Sequence, residues 1–302
     1  MTNTSKKSEK SIKYSVESYL PTLTKLLIDW PELSPLLSSF KNRDYGTFMH
    51  SLAVHFTGQM LTYDLSVRIK NFPSVQINNR SPFFMLHDIG KTVADKDMEV
   101  ALKTVFPSYP DNRTNYQKAK HWIHPQMSGD LIKLWSASHI KNIQPQTLKW
   151  AELSYLHDIM LNPFLNKTKG VRLNYADKLS LYIFSISDTA MAMGLPRPHD
   201  VRVFSQSEIR IALISKYLSD TKLVEFFSNQ EISQIRNYIL ASVFDSLKQL
   251  NIRFKTDDWI KPENNPDYSK TKLLDDLAIQ SWKECEQFWD STMIKMDLAK
   301  IF

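Results

Sequence analysis

The sequence predicts an all-α fold. Apolar residues recur at three- and four-residue steps along successive segments of the 302-residue chain, which is the spacing of an amphipathic helix. Only 6 glycines stand against 14 prolines, so few positions suit the positive-φ turns that β-hairpins require. A hydrophobic content of 42% is enough for a large core in one or two domains. We therefore expect a helical bundle with helical extensions at both ends.

The first part of the chain divides into an extension and the start of a main domain. The extension, residues 1–40, combines a polar tail, expected to be disordered up to residue 13, with short helical segments interrupted by prolines. The main domain is predicted over residues 41–215. Its first helix is expected at 46–61, where Phe48, Leu52, Met60 and Leu61 fall on helical spacing.

The remaining elements follow the same periodicity. A second apolar helix is predicted at 82–89, with Gly90 turning the chain out of it. Residues 216–302 are predicted to form a C-terminal helical extension, available for packing or for a protein partner. Further helices are expected at 118–134, 147–161, 174–193, 208–217, 224–250 and 270–298, with a turn-rich linker at 255–269.

The predicted helix at 82–89 ends in polar residues that need a partner. From position 83 the chain reads Phe83, Phe84, Met85, Leu86, His87, Asp88, Ile89, Gly90 and Lys91. The apolar run is too short to span a membrane, and polar groups buried unpaired at its end would be destabilising. An adjacent imidazole and carboxylate can bind one metal ion. The segment therefore predicts a metal site.

Other predicted helices carry candidate ligands for the same site. The polar residues His50, His87, His124, His157 and Asp188 stand about one helix and one connection apart along the chain. A single histidine on a helix is most often exposed or hydrogen-bonded in the core. Asp188 is surrounded by apolar residues, so it must either pair with a cation such as lysine or bind a metal ion.

The order of these residues resembles the HD superfamily of metal-dependent phosphohydrolases. His50, the His87-Asp88 pair and the distant Asp188 carry this resemblance. Five segments are similar to elements of the HD-GYP branch, over a region from His50 to Leu213. They are His87-Asp88-Ile89-Gly90-Lys91, His124-Pro125-Gln126-Met127-Ser128-Gly129, Ser187-Asp188-Thr189-Ala190-Met191-Ala192, and Arg197-Pro198-His199 followed by Ser205–Leu213.

The signature that names the branch is altered. In place of His-His-Glu-x-x-Asp-Gly-x-Gly-Tyr-Pro, the chain has a segment that begins Leu156-His157-Asp158 and lacks the Gly-Tyr-Pro loop. Only one of the two histidines is present, and Asp158 stands in the place of the glutamate. Gly46 replaces a glutamate that some members have, so a third metal is not expected. Asp200 stands where a basic residue is usual, with Arg202 close by.

The resemblance implies a site with two divalent metal ions, iron or manganese being the first candidates. One ion would be bound by His50, His87, Asp88 and Asp188, and the second by the bridging Asp88 with His124 and His157. Asp88 and Lys91 are the implied catalytic residues. The candidate substrate-binding residues are Lys91, Arg197 and Arg202. His121, three residues before His124, is expected in a supporting or surface role.

The implied function is a phosphodiesterase that hydrolyses a cyclic dinucleotide, similar to cyclic di-GMP, or a related nucleotide. A hydroxide held between the two ions would attack the phosphorus atom. Two alternatives stay open: a nucleotide phosphohydrolase or phosphomonoesterase, and a degenerate module that binds a nucleotide or a protein without turnover. The missing Gly-Tyr-Pro loop favours the degenerate module, whereas the four core ligands and Lys91 favour an enzyme.

Composition restricts the partners and the location. The formal charge of +6 suits a polyanionic partner such as a nucleotide, but part of the excess lies in the N-terminal tail. Nucleic acid is not an expected partner, because no helix combines a dense basic face with aromatic residues. A single cysteine, Cys285, fits a reducing compartment. Without a membrane span or an ordinary signal peptide, the chain is expected in the cytoplasm as a bacterial-type intracellular protein. Export through a non-standard secretion signal stays an alternative.

Overall fold

The structure, a computed structural model, describes residues 19–92, 124–139, 145–158, 172–195, 203–228, 231–254 and 277. These residues form helices and turns, with no strand among them, so the predicted all-α class is confirmed. No helix in this part of the chain is long and apolar enough to cross a membrane. The domain limits at residues 40 and 215 stay predictions.

Eleven α-helices and one 3-10 helix make up the described part of the chain. In order they are α1 (Tyr19–Asp29), α2 (Leu33–Arg43), α3 (Tyr45–Arg68), α4 (Ser74–Arg80), α5 (Pro82–Leu86), the 3-10 helix (Ile89–Lys91), α6 (His124–His139), α7 (Pro145–Leu156), α8 (Tyr175–Gly194), α9 (Gln206–Lys216), α10 (Asp220–Leu223) and α11 (Ile232–Phe254). Helix α3 packs against α5, α8 and α11, while α6 packs against α7 and the 3-10 helix.

Capping side chains explain where the central helices begin. Asp44 accepts a hydrogen bond from the backbone N–H of Thr47, which starts α3. Asn174 and Asp177 form a capping box at the start of α8. Ser205 and Glu208 form a second capping box at the start of α9, so the predicted helices at 46–61, 174–193 and 208–217 are all present.

Two predicted helices have different limits in the structure. The helix expected at 82–89 ends at Leu86, and the chain turns at His87 and Asp88 before the 3-10 helix. The turn is stabilised by a hydrogen bond from the backbone N–H of Lys91 to the Asp88 carbonyl, 2.9 Å. The helix expected from residue 224 begins only at Ile232, because residues 224–226 form a turn after the short α10.

The other predicted elements are described only in part. Helix α6 contains Pro125 as its second residue, as expected for a proline near a helix start. Helix α7 ends at Leu156, followed by a turn at His157 and Asp158. The tail before residue 14, residues 118–123 with His121, residues 159–161, Arg197, Arg202, the linker at 255–269 and Cys285 lie outside the described residues. Of the predicted helix at 270–298, Leu277 is described, and it is helical and buried.

A buried carboxylate, Asp177 on α8, joins this helix to α4 and α7. The Asp177 side chain is 1% exposed, and its carboxylate lies 2.5 Å from Arg80 Nε on α4 and 3.5 Å from Lys149 Nζ on α7. The same carboxylate accepts a hydrogen bond from the backbone N–H of Asn174. Asp177 therefore caps α8 and connects it to its neighbours.

Removing this carboxylate is expected to destabilise the fold. Because Arg80 would keep a mostly buried charge without its partner, Asp177→Ala should lower the free energy of unfolding by about 3 kcal/mol. Lys149→Ala should cost less than about 1 kcal/mol, since Lys149 is more exposed and more distant. Urea unfolding of both variants measures the difference, and equal losses would contradict the central role of the Arg80–Asp177 pair.

Candidate metal centre

Six side chains from five segments converge on one place in the bundle. They form two groups, and within each group the ligand atoms lie within 4.8 Å of one another. His50 comes from α3, His87 and Asp88 from the turn after α5, and Asp188 from the middle of α8. His124 is the first residue of α6, and His157 follows α7. The first group is His50, His87 and Asp188; the second is Asp88, His124 and His157.

The Asp88 carboxylate lies between the two groups. Its Oδ2 atom is 3.2 Å from His87 Nε2. Its Oδ1 atom is 3.2 Å from His124 Nε2 and 3.7 Å from His157 Nε2. Each oxygen thus faces a different group, which is the arrangement that a bridging carboxylate requires.

The first group is closed by a contact between α3 and α8. His50 Nε2 is 2.8 Å from Asp188 Oδ1, and His87 Nε2 is 3.8 Å from the same oxygen. The sequence-based alternative of an Asp188–lysine pair is therefore not what the described residues show; the carboxylate faces two imidazoles. A cation at this position would satisfy Asp188 as well as a lysine would.

Backbone carbonyls set the orientation of two histidines. His87 Nδ1 lies 2.9 Å from the Phe84 carbonyl oxygen, and His157 Nδ1 lies 2.6 Å from the Ser154 carbonyl oxygen. Both helices end just before these histidines, so the carbonyls of the last turn have no helical partner. A ring that donates from Nδ1 presents the lone pair of Nε2, which is the usual form of a metal-binding histidine.

Buried aromatic side chains pack against the centre. The ring of Phe184 on α8 is 4.8 Å from the ring of His87 and 5.8 Å from that of His157, centroid to centroid. Phe83 and Phe84 pack against the same ring. His87, Asp88 and His124 are at most 3% exposed. Charges at the centre are therefore poorly solvated and need partners.

The electrostatic environment keeps both carboxylates ionised. Burial opposes ionisation of Asp88, but the charges of His87 and Lys91 outweigh it and hold the pKa of Asp88 well below its usual value. Burial likewise opposes ionisation of Asp188, and its interaction with His50 lowers the Asp188 pKa. These carboxylates can therefore bind a cation without first losing a proton.

The pKa values of His157 and His87 shift in opposite directions. Burial lowers the pKa of His157 to about 4, and the neighbouring His124 and His87 add to this effect, so His157 is a neutral imidazole at pH 7. Burial alone would lower the pKa of His87, but Asp88 and Asp188 raise it. A cation bound at His87 would take the place of that proton.

The donor set fits divalent metal ions. Among the described residues, His87 Nε2 and Asp88 Oδ1 are two of seven buried side-chain atoms without a hydrogen-bond partner. Both atoms belong to the two groups and point toward other ligand atoms. Imidazole nitrogens and carboxylate oxygens are ligands that borderline divalent ions accept. A cation in each group would satisfy both atoms.

The structure shows three contacts at the centre that the sequence interpretation did not include. Lys91 Nζ lies 2.6 Å from Asp88 Oδ2, and the Lys91 side chain is only 8% exposed. Lys91 is therefore a buried ion-pair partner of the carboxylate that lies between the two groups. The Gly90 N–H donates to Ser128 Oγ on α6, 2.9 Å, which joins the turn to the helix that carries His124. Asp158 lies 3.5 Å from His124, and its position after His157 in the altered signature was the signal for it.

Comparisons with known proteins assign no family. No protein-family model matches the chain, and no curated protein sequence matches it. A solved structure, the HD domain of the L. monocytogenes phosphodiesterase PgpH in complex with cyclic-di-AMP, aligns with a TM-score of 0.43 and 19% sequence identity. The alignment covers 70% of this chain and 97% of that domain.

Proposed function

We propose that this chain is a metal-dependent phosphohydrolase, with a phosphodiesterase acting on a cyclic dinucleotide or a related nucleotide as the favoured activity. The observation that supports it most is the position of Asp88, whose two oxygens face two separate histidine-containing groups at 3.2 Å. The ordered resemblance of the sequence to HD phosphohydrolases gives this geometry its chemical interpretation.

The proposal assigns a role to each part of the centre. His50, His87 and Asp188 would hold one divalent ion, His124 and His157 the other, and Asp88 both. Two such ions polarise phosphoryl oxygens and make water a nucleophile at neutral pH. The carbonyls of Phe84 and Ser154 would keep the imidazoles of His87 and His157 turned toward the ions.

Lys91 is proposed to supply a positive charge beside the reacting phosphate. Its ammonium group is buried against Asp88, on the oxygen that faces His87. A charge held there in a poorly solvated site stabilises negative charge that develops on a phosphate oxygen. Arg197 and Arg202 stay sequence-based candidates for further substrate contacts.

Replacing Lys91 tests this role separately from metal binding. Lys91→Met should lower kcat by about 100-fold, because the methionine keeps the apolar stem and removes the charge. The metal content of the variant should stay at the wild-type level, as Lys91 is not a ligand. Lys91→Arg is expected to recover part of the activity. A Lys91→Met enzyme with wild-type kcat would contradict the assignment.

The substrate class is tested with a panel on protein purified without chelators. The panel contains cyclic-di-GMP, cyclic-di-AMP, bis-p-nitrophenyl phosphate, p-nitrophenyl phosphate and nucleoside triphosphates. Hydrolysis of a cyclic dinucleotide and of the bis-ester supports a phosphodiesterase. Hydrolysis of the monoester or of triphosphates alone supports the other enzyme class. A metal-loaded protein that binds a nucleotide without hydrolysing any member of the panel supports the degenerate module and contradicts the proposal.

A further inference from the structure

We propose that Asp158 is a metal ligand of the second group, in addition to Asp88, His124 and His157. This inference rests on the proposed function, because it presupposes that the second group holds a divalent ion. It assigns the aspartate of the altered signature, which the resemblance alone treats only as a substitute for glutamate. The assignment comes from distances, local geometry and charge.

The Asp158 carboxylate lies close to two candidate ligands of the second group, at or slightly beyond the separation expected between ligands of one ion. Asp158 Oδ2 lies 3.5 Å from His124 Nε2 and 4.0 Å from His157 Nε2. Asp88 Oδ1 lies 3.2 and 3.7 Å from the same two nitrogens, which are themselves 2.9 Å apart. Ligand atoms that surround one ion tetrahedrally at 2.0–2.2 Å are about 3.4 Å from each other. Both carboxylates therefore face the pair of imidazoles, Asp158 at 3.5 and 4.0 Å and Asp88 closer, at 3.2 and 3.7 Å.

A simple hydrogen bond accounts less well for this contact. An N–H···O bond has its donor and acceptor atoms about 2.7–3.2 Å apart, and both Asp158 distances exceed that range. His157 already places its Nδ1 atom against the Ser154 carbonyl, which leaves Nε2 as a lone pair that cannot donate. A cation between them would be attracted to His124 Nε2, His157 Nε2 and Asp158 Oδ2 together, which explains why these atoms lie close to one another.

The segment around Asp158 has the same local construction as the one around Asp88. Each is a His-Asp pair in the turn directly after a helix, α5 for Asp88 and α7 for Asp158. In each pair the histidine Nδ1 contacts the carbonyl oxygen three residues earlier, so Nε2 faces the centre. The same kind of turn therefore brings one imidazole and one carboxylate to the centre after α5, and a second such pair after α7.

Charge balance favours a third carboxylate. The two groups contain two carboxylates, Asp88 and Asp188, and Lys91 neutralises part of the Asp88 charge. Two divalent ions would bring four positive charges into this poorly solvated place. The second ion would have only one carboxylate, Asp88, and would share it with the first ion. Asp158 adds a full negative charge on that side. Its side chain is 18% exposed, so it lies toward solvent from the buried His124.

The test measures metal binding directly. Apo protein is titrated with Mn²⁺ by calorimetry, and bound metal is counted after equilibrium dialysis, for wild type, Asp158→Ala, Asp158→Asn and Asp158→His. Asp245→Ala is the matched control, since Asp245 is an exposed carboxylate on α11 that belongs to neither group. Melting temperatures in EDTA verify that each variant folds like the wild type.

The expected result is selective. Wild type and Asp245→Ala bind two equivalents, whereas Asp158→Ala binds one equivalent normally and the other at least about tenfold more weakly. Asp158→Asn shows a smaller loss, because it keeps one oxygen without the charge, and Asp158→His restores most of the affinity. Two equivalents of unchanged affinity in Asp158→Ala would overturn the role of Asp158 and leave the proposed function intact. Fewer than two equivalents in the wild type would overturn the two-ion function and the Asp158 assignment with it.

Discussion

Asp88→Ala is expected to reduce bound metal from two equivalents to one or none and to lower hydrolysis by about 1,000-fold or more. The physical reason is that, among the described residues, only Asp88 has oxygens that face both donor groups, at 3.2 Å from His87 and 3.2 Å from His124. Its loss also leaves Lys91 as a buried charge without its partner at 2.6 Å. Metal analysis and initial rates on the same preparation measure both effects.

Two comparisons make the Asp88 result specific. Asp88→Asn keeps the volume and one oxygen atom, so it should fold as the wild type does while losing the charge that two cations would share. Asp245→Ala removes an exposed carboxylate on α11 and should change neither metal content nor rate. If Asp88→Ala protein loaded with metal hydrolysed the substrate at the wild-type rate, the proposed site would be wrong.

Gly90→Ala is expected to lower hydrolysis by about 100-fold and the free energy of unfolding by about 3 kcal/mol. A Cβ atom at Gly90 would lie 2.5 Å from the His124 carbonyl oxygen and 2.6 Å from the Ser128 backbone nitrogen. Both are backbone atoms of α6, which cannot rotate away as a side chain can. The turn that carries His87 and Asp88 would therefore move away from His124, and the two groups would separate.

The matched control for Gly90 is Gly194→Ala at the end of α8. There a Cβ atom would meet the tip of the Leu247 side chain, 2.3 Å away, which can shift to another rotamer. Gly194→Ala should reduce stability by no more than about 3 kcal/mol and leave bound metal unchanged. Equal activity of Gly90→Ala and wild type would show that the contact between the turn and α6 does not position the ligands.

The helical elements could be predicted from the sequence where periodicity and caps agree. Asn174 and Asp177 mark the start of α8, and Asp188 falls among apolar residues of that helix because its carboxylate has partners from other helices. The end of α5 could not be predicted, since the apolar pattern continues to Ile89 while the backbone turns at His87. That turn depends on the contact of Gly90 with Ser128, which is 38 residues away in the chain.

The candidate ligands could be predicted as a set, but their mutual arrangement could not. Histidine and aspartate positions in sequence do not say which oxygen of Asp88 faces which group, because this depends on how α6 and α7 pack on the turn. The contact of Lys91 with Asp88 could not be predicted for the same reason: the resemblance made Lys91 a candidate substrate-binding residue, and the folded chain places its ammonium group on Asp88. In the sequence, Asp158 was only a departure from a motif. Its distance of 3.5 Å from His124 makes it a candidate metal ligand.

The proposal that these six side chains form a two-ion centre is tested most directly by measuring the metal bound to wild-type protein purified without chelators. We expect about two equivalents of a divalent transition metal, iron or manganese first. His50→Ala and His124→Ala should each lose one of them, because these residues belong to different groups. Protein that holds no metal as purified and binds none when titrated with Fe²⁺ or Mn²⁺ would contradict the proposal.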